Sequence, residues 1–434
     1  MHTLADLRAG KLAGITRLDL SCGLTEFPRE IFDLANSLQV LNLSGNALDR
    51  LPDDLWRLKH LQVLFVSDNL FTELPACIGQ CQQLRIVGFK ANRISHVPAQ
   101  SLPPRLRWLI LTDNQIPSLP EELGQRPELQ KLMLAGNRLQ SLPASLANCH
   151  KLELIRIAAN RLNELPDWLL RLPALAWLAY AGNPLCPERE EQSVRQIPWE
   201  QLSIQQRLGE GASGIIQQGT WQNGNHSETV AIKLYKGDVT SDGSPLNEMA
   251  ACIAAGNHPN LIEVSGQIIG HPQGQLGLVM QLIAPDFVNL AGPPSLDSCS
   301  RDIYPTQTRF SPETLLNLTR SIASVTAHLH ACGITHGDLY GHNILLRSNG
   351  DSLLGDFGAA SFHPSAGQGV ALERIETRAF GILLGELLER CESGPQDGPL
   401  MERLQGLQAR CVQAEVGKRP ALQEVFQELQ AWAA

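Results

Sequence analysis

Two acidic side chains and one amide have the types and the spacing that chemistry on a phosphate group requires. Asp338, Asn343 and Asp356 follow one another in this order within a short stretch of the chain. One aspartate can accept the proton of an incoming hydroxyl, while an asparagine and a second aspartate can hold Mg²⁺ against the phosphates of a nucleotide. The sequence therefore predicts a phosphoryl-transfer site, for which other elements must supply phosphate contacts and support.

A glycine-rich stretch and a strand-like stretch lie upstream and could supply those contacts. Gly209, Gly211 and Gly214 are spaced so that a backbone turn can lie close over phosphates with no side chain in the way. No helix signature and no Gly-Lys-Ser/Thr follows, so neither a dinucleotide fold nor a Walker loop fits well.

Residues 230–233 (Val-Ala-Ile-Lys) predict a strand ending in a lysine. Glu248, in a predicted helix, is placed to hold that ammonium group charged.

Taken in order, these elements resemble the motifs of the protein kinase family. The motifs are the spaced glycines at 209, 211 and 214, the lysine strand, Glu248, Asp338 with Asn343, and Asp356-Phe357-Gly358. The resemblance covers about residues 200–434. Finer features look most like the tyrosine-kinase-like group, whose known members are mostly Ser/Thr-directed. These features are Ile197-Pro198-Trp199, Gly219-x-Trp221, and Cys411 followed by Lys418-Arg419-Pro420.

The resemblance implies a role for each site residue. Lys233 would grip the α- and β-phosphates, and Glu248 would anchor Lys233. Asp338 would orient and deprotonate the acceptor hydroxyl, while Asn343 and Asp356 would bind Mg²⁺. Residues 278–283 would form the strand and hinge beside the adenine, with Met280 as gatekeeper. The residues expected to bind ATP are Leu208, Gly209, Gly211, Gly214, Ile216, Ala231, Lys233, Met280 and Leu282.

The sequence departs from the kinase pattern at three places. Gly337 replaces the arginine that usually precedes the catalytic aspartate, so no obvious cation receives a phosphate on the activation loop. Tyr340 and His342 stand where Ser/Thr kinases have lysine and tyrosine kinases arginine, which leaves the acceptor class open. Only the short stretch 359–375 separates Gly358 from Glu376, the acid expected to start the following helix. The platform that reads a substrate peptide is therefore expected to be truncated or absent, and activity is expected without loop phosphorylation.

The N-terminal half contains an internal repeat with a period of about 23 residues, and one interval is shorter by a single residue. Its marker residues are Asn46, Asn69, Asn92, Asn114, Asn137, Asn160 and Asn183, each after a Leu-x-Leu-like pair. Alternating apolar residues predict a short strand, and the asparagine can satisfy the backbone groups of the turn that follows. The pattern resembles about eight leucine-rich repeats over residues 14–195, after a cap over residues 1–13. The C-terminal cap and linker are expected at 188–195.

The register of the repeats places one set of side chains on an open concave face. The apolar members of that set are Phe65, Trp108, Ile110, Met133 and Trp177. A contiguous apolar patch usually marks a binding site, so we expect a protein or peptide partner there, or the chain's own second domain. The alternative is that neighbouring strands shield these residues, which then have no binding role.

Length and composition limit the remaining possibilities. A chain of 434 residues predicts two or three domains, and a net charge of −9 argues against nucleic acid as the main partner. The stretch at 1–12 lacks the apolar core of a secretion signal, and the apolar run at 168–182 is too short to span a bilayer. We therefore expect a cytoplasmic protein. The ten scattered cysteines form no metal-ligand pattern and are expected to be reduced.

The sequence thus predicts an α/β leucine-rich repeat solenoid (14–195) followed by a bilobal α+β protein kinase-like domain (196–434) with a shortened activation segment. The predicted function is that of an Mg-ATP-dependent protein kinase, Ser/Thr-directed, with repeats that bind a partner or regulate. A nucleotide-binding pseudokinase or scaffold acting through the concave face is the alternative. A small-molecule kinase is a third possibility. Residues 284–312, rich in Pro, Ser and Asp, are expected to form a mobile surface loop.

Overall fold

The chain forms two compact units, of which the first is made almost entirely of the repeats. The computed structural model describes residues 2–186, 194–211, 213–236, 240, 242–363 and 367–432. The first unit comprises Met1–Ala174 and Asn183–Leu185, and the second comprises Leu175–Gly182 and Cys186–Ala434. The segment Leu175–Gly182, expected within the solenoid, therefore groups with the C-terminal unit. Most of the expected linker at 188–195 lies outside the described residues.

The first unit begins with a short capped helix and continues as a parallel sheet. In helix α1 (Leu4–Arg8), the N-cap Thr3 side chain accepts a hydrogen bond from the backbone of Asp6. The strands are β1 (Arg17–Asp19), β2 (Val40–Asn42), β3 (Val63–Phe65), β4 (Ile86–Gly88), β5 (Trp108–Ile110), β6 (Lys131–Met133) and β7 (Leu154–Arg156). Equivalent residues of successive repeats pair in register, and the middle residue of each strand is fully buried.

The returning segments of the repeats carry 3₁₀ turns that complete the solenoid core. Their bounds are Arg29–Leu34, Leu55–Arg57, Ala76–Gln80, Ala99–Ser101, Glu121–Gln125, Ala144–Asn148 and Leu169–Arg171. They contribute buried apolar side chains such as Ile31, Leu55 and Leu123. Each repeat alone exposes its apolar side, so the core forms only when neighbouring repeats stack.

The repeated asparagines form the ladder that the sequence predicts. The Asn137 side chain donates to the carbonyls of Leu111 (2.8 Å) and Leu134 (3.0 Å) and accepts from the backbone N–H of Ile116 (3.0 Å). Asn69, Asn92, Asn114, Asn160 and Asn183 are bonded in the same way. These bonds satisfy turn backbone groups that would otherwise be buried without partners. The predicted solenoid fold is confirmed.

The second unit contains a six-stranded sheet. Its strands are β9 (Gln196–Pro198), β10 (Leu202–Glu210), β11 (Gly214–Asn223), β12 (His226–Tyr235), β13 (Val264–Ile269) and β14 (Gly277–Gln281). The unit also contains β8 (Trp177–Ala179), which is not a strand of this sheet. The sheet order is β10-β11-β12-β14-β13-β9, antiparallel except for β9, which runs parallel to β13. One face packs a core around Val230, Ile232 and Val279.

Helices and two small sheets complete the second unit. The helices are α2 (Pro245–Ala255), α3 (Pro312–Ala331), α4 (Gln368–Leu388), α5 (Gly398–Cys411) and α6 (Leu422–Trp432). The strands β15 (Val288–Asn289), β17 (Ile344–Leu346) and β18 (Ser352–Leu354) form one small sheet, and β16 (Ile334–Thr335) pairs with β19 (Ser361–Phe362). The helix predicted at 315–330 is confirmed as α3, capped by Ser311. The predicted bilobal α+β architecture is also confirmed.

Residues 284–312 differ from the expected mobile surface loop. Cys299 and Ser300 are fully buried, and Asp302 is also buried. The expectation is wrong for this part of the segment because its small side chains fit into the interior and its acid is hydrogen bonded there. All ten cysteines are free thiols. Within the described ranges, no helix has the length and apolarity needed to cross a membrane.

Candidate active site

A buried ion pair links the central sheet to helix α2. Lys233 lies on β12, and Glu248 lies in the first turn of α2, where Ser244 caps the N-terminus and Pro245 follows. Burial lowers the pKa of Lys233, but the charge and hydrogen bond of Glu248 outweigh this effect and leave the pKa above its ordinary value. The lysine is therefore held as a cation.

The ion pair opens onto a cavity of about 90 Å³. The walls come from the sheet, from α2 and from the chain that follows β18. The lining residues include Ile216, Lys233, Glu248, Cys252, Leu261, Val264, Met280, Leu354, Asp356 and Phe357. Lys233, Glu248, Met280 and Asp356, which are far apart in sequence, are thus brought to one cavity as the sequence predicts.

The glycines of the β10–β11 hairpin differ in what surrounds them. The backbone N–H of Gly211 donates to the carbonyl of Gly214 (2.9 Å), which closes the turn. A Cβ atom added at Gly209 or Gly211 would meet nothing within 4 Å, whereas one at Gly214 would lie 2.6 Å from the carbonyl oxygen of Leu234. Open space at the first two positions suits backbone approach to a ligand. Gly214 is required by packing, and Ala212 lies outside the described residues.

The acid and amide groups of the loop at 336–343 are bonded to each other. The Asn343 Nδ2 group donates to the Asp338 side chain (2.9 Å) and to the Asp338 backbone carbonyl (2.9 Å). Asn343 is buried, and Asp338 is half-buried. Asp356 is exposed and adopts a φ of 55°, an uncommon conformation for a residue other than glycine. Its Oδ1 atom accepts a hydrogen bond from the backbone N–H of Gly358 (3.1 Å).

Six of the predicted nucleotide contacts lie outside the lining of this cavity, namely Leu208, Gly209, Gly211, Gly214, Ala231 and Leu282. Ala231 is buried and pairs with Met280 across β12 and β14. Leu282 follows β14 and lines another cleft together with Phe287, while Leu208 is largely exposed. The nucleotide contacts of all nine residues stay predictions.

Comparison with known families agrees with both halves of this architecture. Residues 202–374 match a family model described as protein tyrosine and serine/threonine kinase, and residues 13–71 and 127–185 match a leucine rich repeat model. The chain thus contains leucine-rich repeats and, at residues 202–374, a protein kinase domain.

Individual relatives are similar to this chain over less than half of its length. Cyclin-dependent kinase 11.1 of Caenorhabditis elegans is 30% identical over 157 residues, which cover 36% of this chain and 20% of the relative. Serine/threonine-protein kinase PITSLRE of Drosophila melanogaster is 28% identical over 171 residues, covering 39% and 17%. Serine/threonine-protein kinase PkaA of Streptomyces coelicolor is 30% identical over 194 residues, covering 41% and 33%. The matched segments therefore span a third or less of these relatives.

A buried carboxylate holds the start of the loop at residues 336–343 (the catalytic loop, for its predicted role). Glu376 accepts hydrogen bonds from the backbone N–H groups of Gly337 (2.7 Å) and His336 (3.1 Å), and it lies 2.8 Å from His330 Nε2. Burial raises the pKa of Glu376. His330, His336 and the Gly337 N–H lower the pKa by more than burial raises it, so the pKa lies below its ordinary value. The expectation that Glu376 starts its helix is wrong, because α4 begins at Gln368.

Sequence reasoning missed a second acid that contacts the catalytic loop of the kinase domain. The Asp302 Oδ1 atom lies 2.7 Å from His342 Nδ1, and its Oδ2 atom accepts from the backbone N–H of His342 (3.1 Å). Burial lowers the pKa of His342, but the hydrogen bond and charge of Asp302, with Asp338 and Asp356, raise it above its ordinary value. The only sequence signal was an acid within a Pro- and Ser-rich stretch, which gives no indication of its partner.

Trp177 is buried, whereas the sequence predicts it on an open concave face that could bind an external partner. Its side chain is 1% exposed, within the same unit as the kinase domain, and its ring stacks on Tyr340 of the catalytic loop. The prediction that Trp177 is open to an external partner is therefore wrong. Phe65, Trp108, Ile110 and Met133 are half-buried.

Proposed function

We propose that this chain is an ATP-dependent protein kinase that transfers the γ-phosphoryl group to serine or threonine hydroxyls. The observation that carries this proposal is the meeting of the Lys233–Glu248 ion pair with Asp356 at one cavity. The hydrogen-bonded pair of Asp338 and Asn343 adds the remaining acid and amide. A lysine held charged by a buried glutamate suits phosphate binding, and the acids suit a metal ion and a hydroxyl proton.

Residues of this chain can supply the groups that phosphoryl transfer needs. Lys233 would bind phosphate oxygens, and the open backbone of Gly209 and Gly211 would cover them. Asp338 would orient the acceptor hydroxyl and accept its proton as the oxygen forms a bond to the γ-phosphorus. The bond from that phosphorus to the β,γ-bridging oxygen breaks, and ADP leaves with the electron pair.

The oxygen atoms of Asn343 and Asp356 fit Mg²⁺. The Asn343 amide uses its Nδ2 group toward Asp338, which leaves its oxygen as the atom for a cation. Asp356 is exposed, and the backbone N–H of Gly358 engages its Oδ1 atom rather than its Oδ2 atom. Amide and carboxylate oxygens are hard ligands of the kind that Mg²⁺ takes. When bound, the ion neutralises charge on the phosphates.

Radiolabelled ATP tests the proposal directly. The purified full chain is incubated with a generic protein substrate, and Asp338→Asn is measured alongside. The variant keeps the shape of the side chain but cannot accept the proton, so we expect a loss of about 100-fold or more in phosphotransfer. Binding of a fluorescent ATP analogue should be similar in both proteins. Phosphotransfer by the wild type that does not exceed that of the variant would reject the kinase proposal.

One observation favours a second candidate, a nucleotide-binding pseudokinase that acts as a scaffold. Tyr340 stands where kinases carry a cation near the γ-phosphate, and its ring is buried against Trp177. In the same assay this candidate predicts binding of the ATP analogue with no transfer above Asp338→Asn. A small-molecule kinase would instead show ATP turnover only when small hydroxylated acceptors replace the protein substrate.

We also propose that the half-buried apolar residues of the first unit bind a protein or peptide partner. Phe65 packs over Gly88, where an added Cβ atom would lie 2.6 Å from its ring, and Trp108 Nε1 lies 3.3 Å from Met133 Sδ. Side chains of neighbouring repeats thus contact each other on this face. An apolar patch of this kind fits an apolar partner segment.

Charged substitutions test the patch. Partners are first identified by capture with the wild-type chain. Trp108→Glu and Ile110→Asp should weaken this capture by about tenfold or more, because each substitution buries a charge between the patch and the partner. Trp56→Glu is the matched control, since Trp56 is 49% exposed and lies in a 3₁₀ turn outside the strands. Unchanged partner capture and unchanged kinase activity in both patch variants would reject this proposal.

A further inference from the structure

The segment Leu175–Gly182 contacts the catalytic loop immediately beside the predicted catalytic acid. Trp177 Nε1–H donates to the backbone carbonyl of Leu339 (3.0 Å), and the Trp177 ring lies parallel to the Tyr340 ring at 4.3 Å. Leu339 and Tyr340 directly follow Asp338 in the chain. We propose that this segment positions the catalytic loop for phosphoryl transfer, with Trp177 as the main positioning residue.

The backbone of the same segment explains an unusual glycine in the catalytic loop. Gly337 has a φ of 72°, and an added Cβ atom would lie 2.8 Å from the Leu178 carbonyl oxygen and 2.5 Å from that of Ala359. A side chain at this position would displace the segment or the chain after Phe357. The glycine that stands in place of arginine is therefore the residue type that this close approach requires.

A second set of hydrogen bonds holds the segment to the strand that follows Phe357. The backbone N–H groups of Tyr180 and Ala181 both donate to Ser361 Oγ (3.1 Å each), and the Tyr180 hydroxyl donates to the Phe362 carbonyl (3.0 Å). Ser361–Phe362 pairs with Ile334–Thr335, which leads directly into the catalytic loop. The segment thus contacts the chain both before and after the metal-site residues.

The position of these contacts indicates support rather than inhibition. They fall on the Leu339 carbonyl and the Tyr340 ring, while Asp338 stays half-buried and Asp356 exposed. The acids therefore keep access to a ligand while the loop that carries Asp338 is fixed from one side. Only the short stretch 359–375 separates Gly358 from Glu376, and the segment Leu175–Gly182 of the same unit supplies this support. The inference rests on the proposed kinase function.

Substitutions of Trp177 in the full chain test positioning. Trp177→Ala should lower kcat by about tenfold or more, because small displacements of a catalytic group cost large factors in rate. The KM for ATP should stay within about twofold, since the ATP-binding residues Lys233 and Met280 lie on other elements. Trp177→Phe keeps the stacked ring and loses the donor, so its kcat should fall between those of Trp177→Ala and the wild type.

Two controls separate positioning from general damage. Trp56→Ala removes an exposed tryptophan of the first unit and should leave kcat unchanged. Ser361→Ala changes little volume but removes the acceptor for Tyr180 and Ala181, so it should lower kcat even if Trp177→Ala fails to fold. Unchanged or increased kcat in Trp177→Phe and Ser361→Ala would overturn the inference, and an increase would indicate inhibition by the segment.

Hydrogen exchange makes the result independent of the proposed function. Amides of residues 339–343 should exchange faster in Trp177→Ala and Ser361→Ala than in the wild type, with and without an ATP analogue. If the wild type shows no phosphotransfer, the kinase proposal fails while faster exchange still supports positioning of the loop. Equal exchange in all three proteins would overturn positioning, whatever the activity.

Discussion

His342 and Asp302 join the catalytic loop to a segment 40 residues earlier in the chain, with 2.7 Å between His342 Nδ1 and Asp302 Oδ1. The aspartate side chain is fully buried, and the histidine is 20% exposed. The pKa of His342 is lowered by burial but raised more by Asp302, Asp338 and Asp356, so it lies above the ordinary value of 6.5. The contact therefore makes stability depend on pH.

The sign of that dependence follows from the raised pKa. A histidine whose pKa is higher in the folded protein stabilises fully below its unfolded pKa and loses that contribution as pH rises through the folded value. We expect the free energy of unfolding of the wild type to decrease as pH rises above the ordinary histidine pKa of 6.5. Asp302→Asn should flatten this decrease in urea titrations. His150→Gln, at an exposed histidine, should leave the slope unchanged. Parallel profiles for the wild type and Asp302→Asn would contradict the prediction.

The Lys233–Glu248 pair should show strong energetic coupling. Glu248 is 2% exposed, so replacing only one partner leaves a poorly solvated charge, whereas replacing both removes that penalty. A double-mutant cycle of Lys233→Met and Glu248→Leu, measured by urea unfolding, should give a coupling energy of roughly 1–3 kcal/mol. Lys151 and Glu128 form an exposed pair at 2.9 Å and should couple by about 1 kcal/mol or less. Equal coupling in the two pairs would show that burial does not strengthen the contact.

The sequence was sufficient to predict the repeats because their residues recur at a fixed period. Asn137 and its equivalents repeat one local set of hydrogen bonds, so one turn describes the others. It also predicted that Lys233, Glu248 and Asp356 meet, because the family motifs occur in the expected order. A periodic pattern and an ordered set of motifs are both visible in a single chain.

Contacts that join distant segments could not be predicted in this way. Trp177 and Leu339 are 162 residues apart, and no spacing rule relates an outward-facing tryptophan of a repeat to a loop carbonyl. The sequence shows the glycine at position 337, which that contact requires, but it does not indicate the contact itself. The same holds for the segment Leu175–Gly182, which matches the repeat pattern yet groups with the C-terminal unit.

The glycines of the β10–β11 hairpin should respond differently to the same substitution. Gly214→Ala places a Cβ atom 2.6 Å from the Leu234 carbonyl, a backbone atom that cannot move alone, and should destabilise the protein by about 1–3 kcal/mol. Gly209→Ala meets no atom within 4 Å, so it should preserve the unfolding free energy while weakening binding of an ATP analogue. Urea unfolding and fluorescence titration measure the two effects. Equal destabilisation by both substitutions would contradict the difference in packing.

Replacement of Glu376 should affect both folding and phosphotransfer, because this buried carboxylate holds the start of the catalytic loop. Glu376→Gln removes the charge next to His330, and an amide cannot accept hydrogen bonds at both of its ends, so the N–H groups of His336 and Gly337 are less well satisfied. We expect a loss of about 3–5 kcal/mol in the free energy of unfolding at neutral pH. Glu389→Gln at the C-cap of the same helix is the matched control, with a side chain 76% exposed, and should cost about 1 kcal/mol or less. The pKa of Glu376 is lowered, so its contribution is present above the ordinary value of 4.5 and is lost as pH falls through the folded value. The difference between wild type and Glu376→Gln should therefore shrink in acid, and a constant difference at every pH would show that the carboxylate charge is not what holds the loop.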